Sequence, residues 1–69
     1  MMKILLIEDD QELASYIMKG LKESGHCVEH IINGKHGLTL AMENEFNVLI
    51  IDRMLPELDG LSIVKALRA

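Results

Sequence analysis

Two short apolar runs, each closing on carboxylates, limit what this chain can fold into. The first is Ile4-Leu5-Leu6-Ile7, followed by Glu8-Asp9-Asp10; the second is Val48-Leu49-Ile50-Ile51, followed by Asp52. Neither alternates polar with apolar residues, and a run of that kind reads as a strand buried on both faces of a parallel sheet. In open α/β sheets ligands sit in the crevice beyond the carboxyl ends of the strands, so acids placed there are presented to a site. The second run lies in the stretch around which the chain is organised, Phe46 to Gly60, reading FNVLIIDRMLPELDG. Pro56 forbids a simple continuation of the strand, and Asp59-Gly60 reads as the cap opening a new helix.

The segments between these runs supply the crossovers. From about Gln11 to Ser24, Leu13, Ala14, Ile17, Met18 and Leu21 recur at helical spacing and form one apolar face. Gly25 stops that helix. His26 to Ile32 is β-branched and partly alternating, hence a strand near an edge, and Asn33-Gly34 ends it. Lys35 to Glu45 reads as a shorter helix with a narrow stripe of Leu38, Ala41 and Met42; Gly37 inside it costs about 1 kcal/mol relative to Ala. The last helix, from Asp59, has Leu61, Val64 and Leu67 on one face. The alternation βαβαβα, with right-handed crossovers, lays three parallel strands side by side.

Composition fits that layout and excludes others. Apolar residues make up 49% of the 69-residue chain and aromatics only 3%, so the core is aliphatic, as helices packed on a parallel sheet require. A chain this small buries only ~60% of its unfolded surface and is marginally stable. Eleven acidic against seven basic side chains, a formal charge of −4, argue against direct nucleic-acid binding by this segment and favour a cation as companion. The single cysteine, Cys27, allows no intrachain disulfide and points to a reducing, cytoplasmic setting. The apolar core of the N-terminal stretch is too short for a signal peptide, and no segment is long enough to span a bilayer. His26, His30 and His36 match no common zinc spacing and are read as surface side chains of a strand and a helix.

The acids carry the chemistry. Glu8, Asp9 and Asp10 stand where a helix cap belongs, and one of them is expected to fill that role. If the first and third strands are neighbours, their carboxyl ends lie ~5 Å apart, and Asp9 and Asp52 converge on one small volume. Like charges that close need a counter-ion. Mg²⁺, which tolerates one or two carboxylates plus waters, suits the place, and with it Asp52 can attack phosphorus as a nucleophile.

Lys3-Ile4-Leu5-Leu6-Ile7-Glu8-Asp9-Asp10, Leu49-Ile50-Ile51-Asp52, Met54-Leu55-Pro56 and Asp59-Gly60-Leu61 stand at intervals that together are specific. Over all 69 residues the chain resembles the N-terminal part of a receiver domain of a two-component response regulator, of the OmpR-type winged-helix subgroup. The resemblance implies a flavodoxin-like doubly wound sheet with strand order 2-1-3. It implies that Asp52 is the phospho-acceptor, taking its phosphoryl group from a phosphohistidine on a sensor histidine kinase. Mg²⁺ would be held by Asp9 and Asp52 directly, by Glu8 through water, and by the main-chain carbonyl of Met54. Asp10 is then free to cap the first helix.

Asn47 replaces the Asp usual before the central strand, a position outside the chemistry. The family's later Ser or Thr and Lys, which reach the phosphoryl oxygens, belong to fourth and fifth strands not found in these 69 residues. The last helix ends at Ala69 with its apolar face still running, so the chain reads as a partial receiver impaired in switching, whose parent would bind DNA through a separate domain. The third strand becomes an edge, and an apolar edge invites self-association. Two other readings stand beside this one: a non-catalytic, self-associating interaction fragment, and a phosphatase of the dehalogenase type. Against the second, Met54 stands where such enzymes usually carry another Asp.

Overall fold

Residues 1–55 and 58–69 are described by a computed structural model. Three strands and three helices alternate: β1 (Lys3–Ile7), α1 (Gln11–Glu23), β2 (Cys27–Ile31), α2 (Gly34–Glu43), β3 (Val48–Ile51) and α3 (Gly60–Arg68). The sheet has the order β2-β1-β3 and is parallel throughout, with Ile4 to Ile7 aligned on Val48 to Ile51 on one side and on Val28 to Ile31 on the other. The path therefore reverses across β1, and right-handed connections put α1 on one face of the sheet and α2 on the other.

β1 is the strand buried on both faces: Ile4, Leu5, Leu6 and Ile7 are each at most 1% exposed. At ~1.5–3 kcal/mol for each fully buried aliphatic side chain, this one strand supplies a large part of the hydrophobic stabilisation. Leu5 and Ile7 form the core with Ile63 of α3, ringed by Leu38, Phe46, Leu49, Ile51 and Leu67. Ile4 and Leu6 point to the other face, where Ala14 of α1 is also fully buried.

β3, expected to be buried on both faces, is half-buried at all four residues, because among the described residues it pairs only with β1. Its start is nonetheless tied twice to β1: Asn47 Oδ1 accepts the Lys3 N–H at 2.8 Å, and the Asn47 N–H donates to the Lys3 carbonyl at 2.8 Å. Asn47, outside the chemistry, thus sets the register of the two strands that carry the acids.

Three apolar assignments are corrected. Leu13 (46% exposed), Met42 (69%) and Leu61 (52%) face solvent, since each helix lies on the sheet along a stripe narrower than its apolar residues would cover. Ile63 takes the core position that spacing gave to Leu61. Element ends move by one or two residues: Ser24 is the C-cap of α1, His26 and Ile32 lie outside β2, and α2 begins at Gly34 and stops at Glu43. The turn reading at Pro56 lies outside the described residues.

Caps account for the helix starts. Asp10 accepts the N–H groups of Glu12 and Leu13, Asn33 that of His36, and Asp59 that of Ser62. Gly25, at φ 86°, is in the left-handed region and turns the chain after α1. Gly37 is a packing glycine: a Cβ there would meet Ile7 Cγ1 at 2.8 Å, so its cost in helix propensity is the condition for α2 to lie close on β1.

These contacts separate two glycines that look alike in sequence. Gly20, where an added Cβ would have nothing within 4 Å, should gain about 0.5–1 kcal/mol on replacement by Ala. Gly37→Ala should instead lose about 1–3 kcal/mol through overpacking against Ile7. Urea unfolding of the two variants checks the contrast, and a stabilised Gly37→Ala would show that α2 does not press on β1.

Candidate functional site

The acids meet because two strands end side by side. The Asp52 N–H donates to the Ile7 carbonyl at 2.9 Å, so the last ladder bond between β1 and β3 sits directly beneath the carboxylates. One carboxylate oxygen from each of Glu8, Asp9 and Asp52 falls in a group lying within 4.8 Å of one another. Glu8 is buried at 6% exposure, Asp52 is half-buried and Asp9 is exposed. Asp10, the fourth acid of the region, is turned away as the cap of α1, the role expected for it from the sequence.

Each acid is held differently. The Glu8 carboxylate accepts the Asp10 N–H at 3.1 Å and the Glu8 N–H donates to the Ile31 carbonyl at 3.0 Å. Asp52 accepts the Met54 N–H through Oδ1 at 3.1 Å, an Asx-type turn that bends the chain out of β3. The turn passes against Gly60, whose N–H donates to the Arg53 carbonyl at 3.0 Å. A Cβ at Gly60 would run into the Asp52 carbonyl oxygen, so only glycine lets α3 start this close to the acid. Met54 is exposed and lines an open cleft of ≈ 650 Å³ together with Asp9, Arg53, Leu55, Asp59 and Leu61. Asp9 is the acid that joins the carboxylate group to this cleft.

Burial pushes the Glu8 carboxyl above its ordinary range, and the neighbouring Asp52 charge adds to the rise, against the lowering effect of the Asp10 N–H. Asp52 moves the other way: the Met54 N–H, then hydrogen bonding with Glu8, hold it below the usual carboxylate range. The two shifts run in opposite directions because burial acts on Glu8 while a main-chain N–H holds Asp52. Asp59, capping α3, is also lowered, first by the Ser62 N–H.

The donor set fits a hard divalent cation. Octahedral Mg–O bonds of about 2.1 Å place ligand oxygens about 3–4 Å apart, so small side-chain rotations or a bridging water bring oxygens spread over 4.8 Å into range. The set has only oxygen atoms, which favours Mg²⁺ or Mn²⁺ over softer metals.

Three contributors to the site do not show in the sequence pattern. Gly60 reads there only as part of a cap, Asn47 as a position outside the chemistry, and His30 as a strand-surface residue. In fact His30 is half-buried with Nε2 2.7 Å from the Glu8 carbonyl oxygen, and His26 accepts the Met2 N–H at 3.1 Å. The order 2-1-3 is the signal that could have found His30, since it puts the end of β2 beside the end of β1.

The opposed shifts fix a pH dependence. Glu8 holds its proton to higher pH in the folded chain than in the unfolded one, so it costs stability as pH rises from the usual carboxylate range through its raised value. Asp52 contributes stability above its unfolded value and loses it as pH falls through its lowered one. Glu8→Gln should therefore raise the melting temperature at neutral pH, and the gain should vanish in acid, where Glu8 is protonated anyway. Equal melting temperatures at neutral pH would mean that Glu8 is not desolvated by the fold.

Comparison with known proteins agrees with this fold. Residues 4–69 match the family model described as response regulator receiver domain. Over 99% of its length the chain is 46% identical to a Salmonella typhimurium protein described as the probable transcriptional regulatory protein SilR. Over the same share it is 41% identical to the transcriptional regulatory protein CusR of Escherichia coli K12. It spans 30% of the length of each. Among solved structures, a Francisella response regulator receiver domain superposes with a TM-score of 0.95 at 37% identity, covering 99% of this chain and 56% of that one. The receiver domain of a Pseudomonas aeruginosa sensor histidine kinase, described with a magnesium ion coordinated in its active-site cleft, superposes with a TM-score of 0.92 at 28% identity, covering 97% and 55%.

Proposed function

Because the chain belongs to the response regulator receiver domain family, we propose that it is the phospho-acceptor part of a signalling switch, with Asp52 as the acceptor and a sensor histidine kinase as the donor. The observation that carries this is the grouping of Glu8, Asp9 and Asp52 within 4.8 Å across the ends of two paired strands. Asp9, Asp52 and the Met54 main-chain carbonyl would hold Mg²⁺, with Glu8 acting through water. When bound, the cation would supply charge neutralisation for the incoming phosphoryl group.

The chain's own residues set up the transfer. Asp52 Oδ1 is engaged by the Met54 N–H, which leaves Oδ2 as the nucleophile. Asp52 is a carboxylate at neutral pH, and the Met54 N–H stabilises that anion further. Oδ2 forms a bond to phosphorus, the P–N bond of the kinase phosphohistidine breaks, and the electron pair leaves on the imidazole nitrogen. The product is an acyl phosphate, and the chain acts as acceptor rather than as a turnover enzyme. With the hydroxyl and lysine donors of the family outside these 69 residues, transfer to this chain alone is slow. The relatives named as transcriptional regulatory proteins support a parent that binds DNA through another domain.

A phosphoramidate donor with Mg²⁺ tests the reading. Intact-mass analysis should show slow gain of one phosphoryl group, removed by hydroxylamine and absent in Asp52→Asn. Gain of the same mass in Asp52→Asn, or equal gain without a divalent cation, would sink it.

One observation favours an added property, self-association. The Asp52 N–H bond to Ile7 sets the ladder phase of β3, so the main-chain groups of Leu49 and Ile51 face away from β1, and no strand covers them among the described residues. Free N–H and C=O groups on an apolar strand template pairing with a second copy. Sedimentation equilibrium should show a concentration-dependent dimer that Ile50→Lys weakens. A single monomeric species at all concentrations would remove this property and leave phosphotransfer untouched.

A further inference from the structure

The carbonyl of Glu8 marks the place where the β1–β2 ladder runs out. The Glu8 N–H donates to the Ile31 carbonyl at 3.0 Å, and the next acceptor in the ladder is the carbonyl of Glu8 itself. Its strand partner would be the N–H of Asn33, but there the chain has already turned into α2, for which Asn33 is the N-cap. His30, aligned on Leu6 in the register of β2 with β1, reaches forward two residues and fills the gap with Nε2 at 2.7 Å. A carbonyl only accepts, so Nε2 carries the proton, and it does so whether the ring is neutral or charged.

That carbonyl lies in the peptide plane joining Glu8 to Asp9. The plane is rigid, so fixing the direction of the carbonyl fixes the position of the Asp9 Cα on its other side. Glu8 is then pinned at three points: its N–H by Ile31, its carbonyl by His30 and its carboxylate by the Asp10 N–H at 3.1 Å. Asp9 is exposed and, among the described residues, no main-chain N–H holds its carboxylate, so it inherits its placement from this plane.

We propose that His30 is a positioning residue for the acidic pocket, clamping the Glu8–Asp9 peptide so that both carboxylates face Asp52. It touches neither phosphorus nor cation; it acts through the main chain. The inference rests on the cation-site reading above, but the clamp itself can be read without any cation.

The test compares the chain with His30→Leu, which keeps bulk and loses the donor, and His30→Gln, which restores an N–H of similar reach. Mg²⁺ titration by calorimetry gives the affinity, and amide hydrogen exchange in metal-free buffer gives the protection of the Asp10 N–H against that of the α2 amides. His30→Leu should weaken Mg²⁺ by about tenfold, the lower end of the range for outer-shell partners of metal ligands. It should also lose protection at Asp10 while the α2 amides keep theirs, and His30→Gln should recover most of both. An unchanged Mg²⁺ affinity in His30→Leu, or uniform loss of protection across the chain, would reduce His30 to a structural contact and overturn the proposal. If the unaltered chain takes up no Mg²⁺, the cation-site reading fails by itself; selective loss at Asp10 in His30→Leu then still supports the clamp, and unchanged protection there overturns it.

Discussion

The hydrogen bond from the Asp52 N–H to the Ile7 carbonyl, 2.9 Å long, closes the β1–β3 ladder at the level of the carboxylates, and the site depends on it. Shift β3 by one residue and Asp52 leaves the plane of Glu8 and Asp9, while its apolar side chains exchange faces. At the far end of the same pair of strands, Asn47 brackets Lys3 through both its side chain and its main chain, so the register is fixed at both ends of a four-residue strand. The hydrophobic match of Leu5 with Leu49 and of Ile7 with Ile51 against Ile63 works in the same direction. Core packing and site geometry are therefore one constraint.

That constraint brings three carboxylates together in a chain that already carries a net charge of −4. The fold tolerates this by treating them unequally. Glu8 is taken out of solvent and pushed toward its protonated form; Asp52 is stabilised as an anion by a main-chain N–H; Asp9 is left in contact with water at the edge of the cleft. The repulsion that remains would favour binding of a divalent cation, and an ion bound to the folded chain alone would stabilise it by mass action. A small α/β unit with a half-exposed edge strand has little stability to spare.

Much of this was legible in the residues. Ile4 to Ile7 and Val48 to Ile51 read as strands and Asp59 as a cap from local pattern alone, whereas the choice of Asp10 as the cap of α1 came from the family resemblance and the meeting of the acids required β1 and β3 to be neighbours. What the pattern could not show are contacts set by close approach between distant segments. Gly37 looks like a weak point in a helix and is the place where α2 rests on Ile7; Gly60 looks like a cap and is the place where α3 clears the Asp52 carbonyl. Leu13, Met42 and Leu61 have helical spacing but too few neighbours to be covered, since spacing gives a face and not its width. His30 groups in sequence with its neighbours His26 and His36, whereas its partner lies 22 residues away on an adjacent strand.

The central claim is that β1 and β3 deliver their terminal acids to a single cation. Paramagnetic broadening by Mn²⁺, which shares the oxygen-donor chemistry of Mg²⁺, measures this most directly in an amide NMR spectrum. Broadening confined to two separate segments, Glu8 to Asp10 and Asp52 to Met54, with the Lys3 and Asn47 amides at the opposite end of the sheet left sharp, is the expected pattern. Broadening of only one of those segments, or of Glu43 and Glu45 instead, would mean that the strand ends do not share an ion.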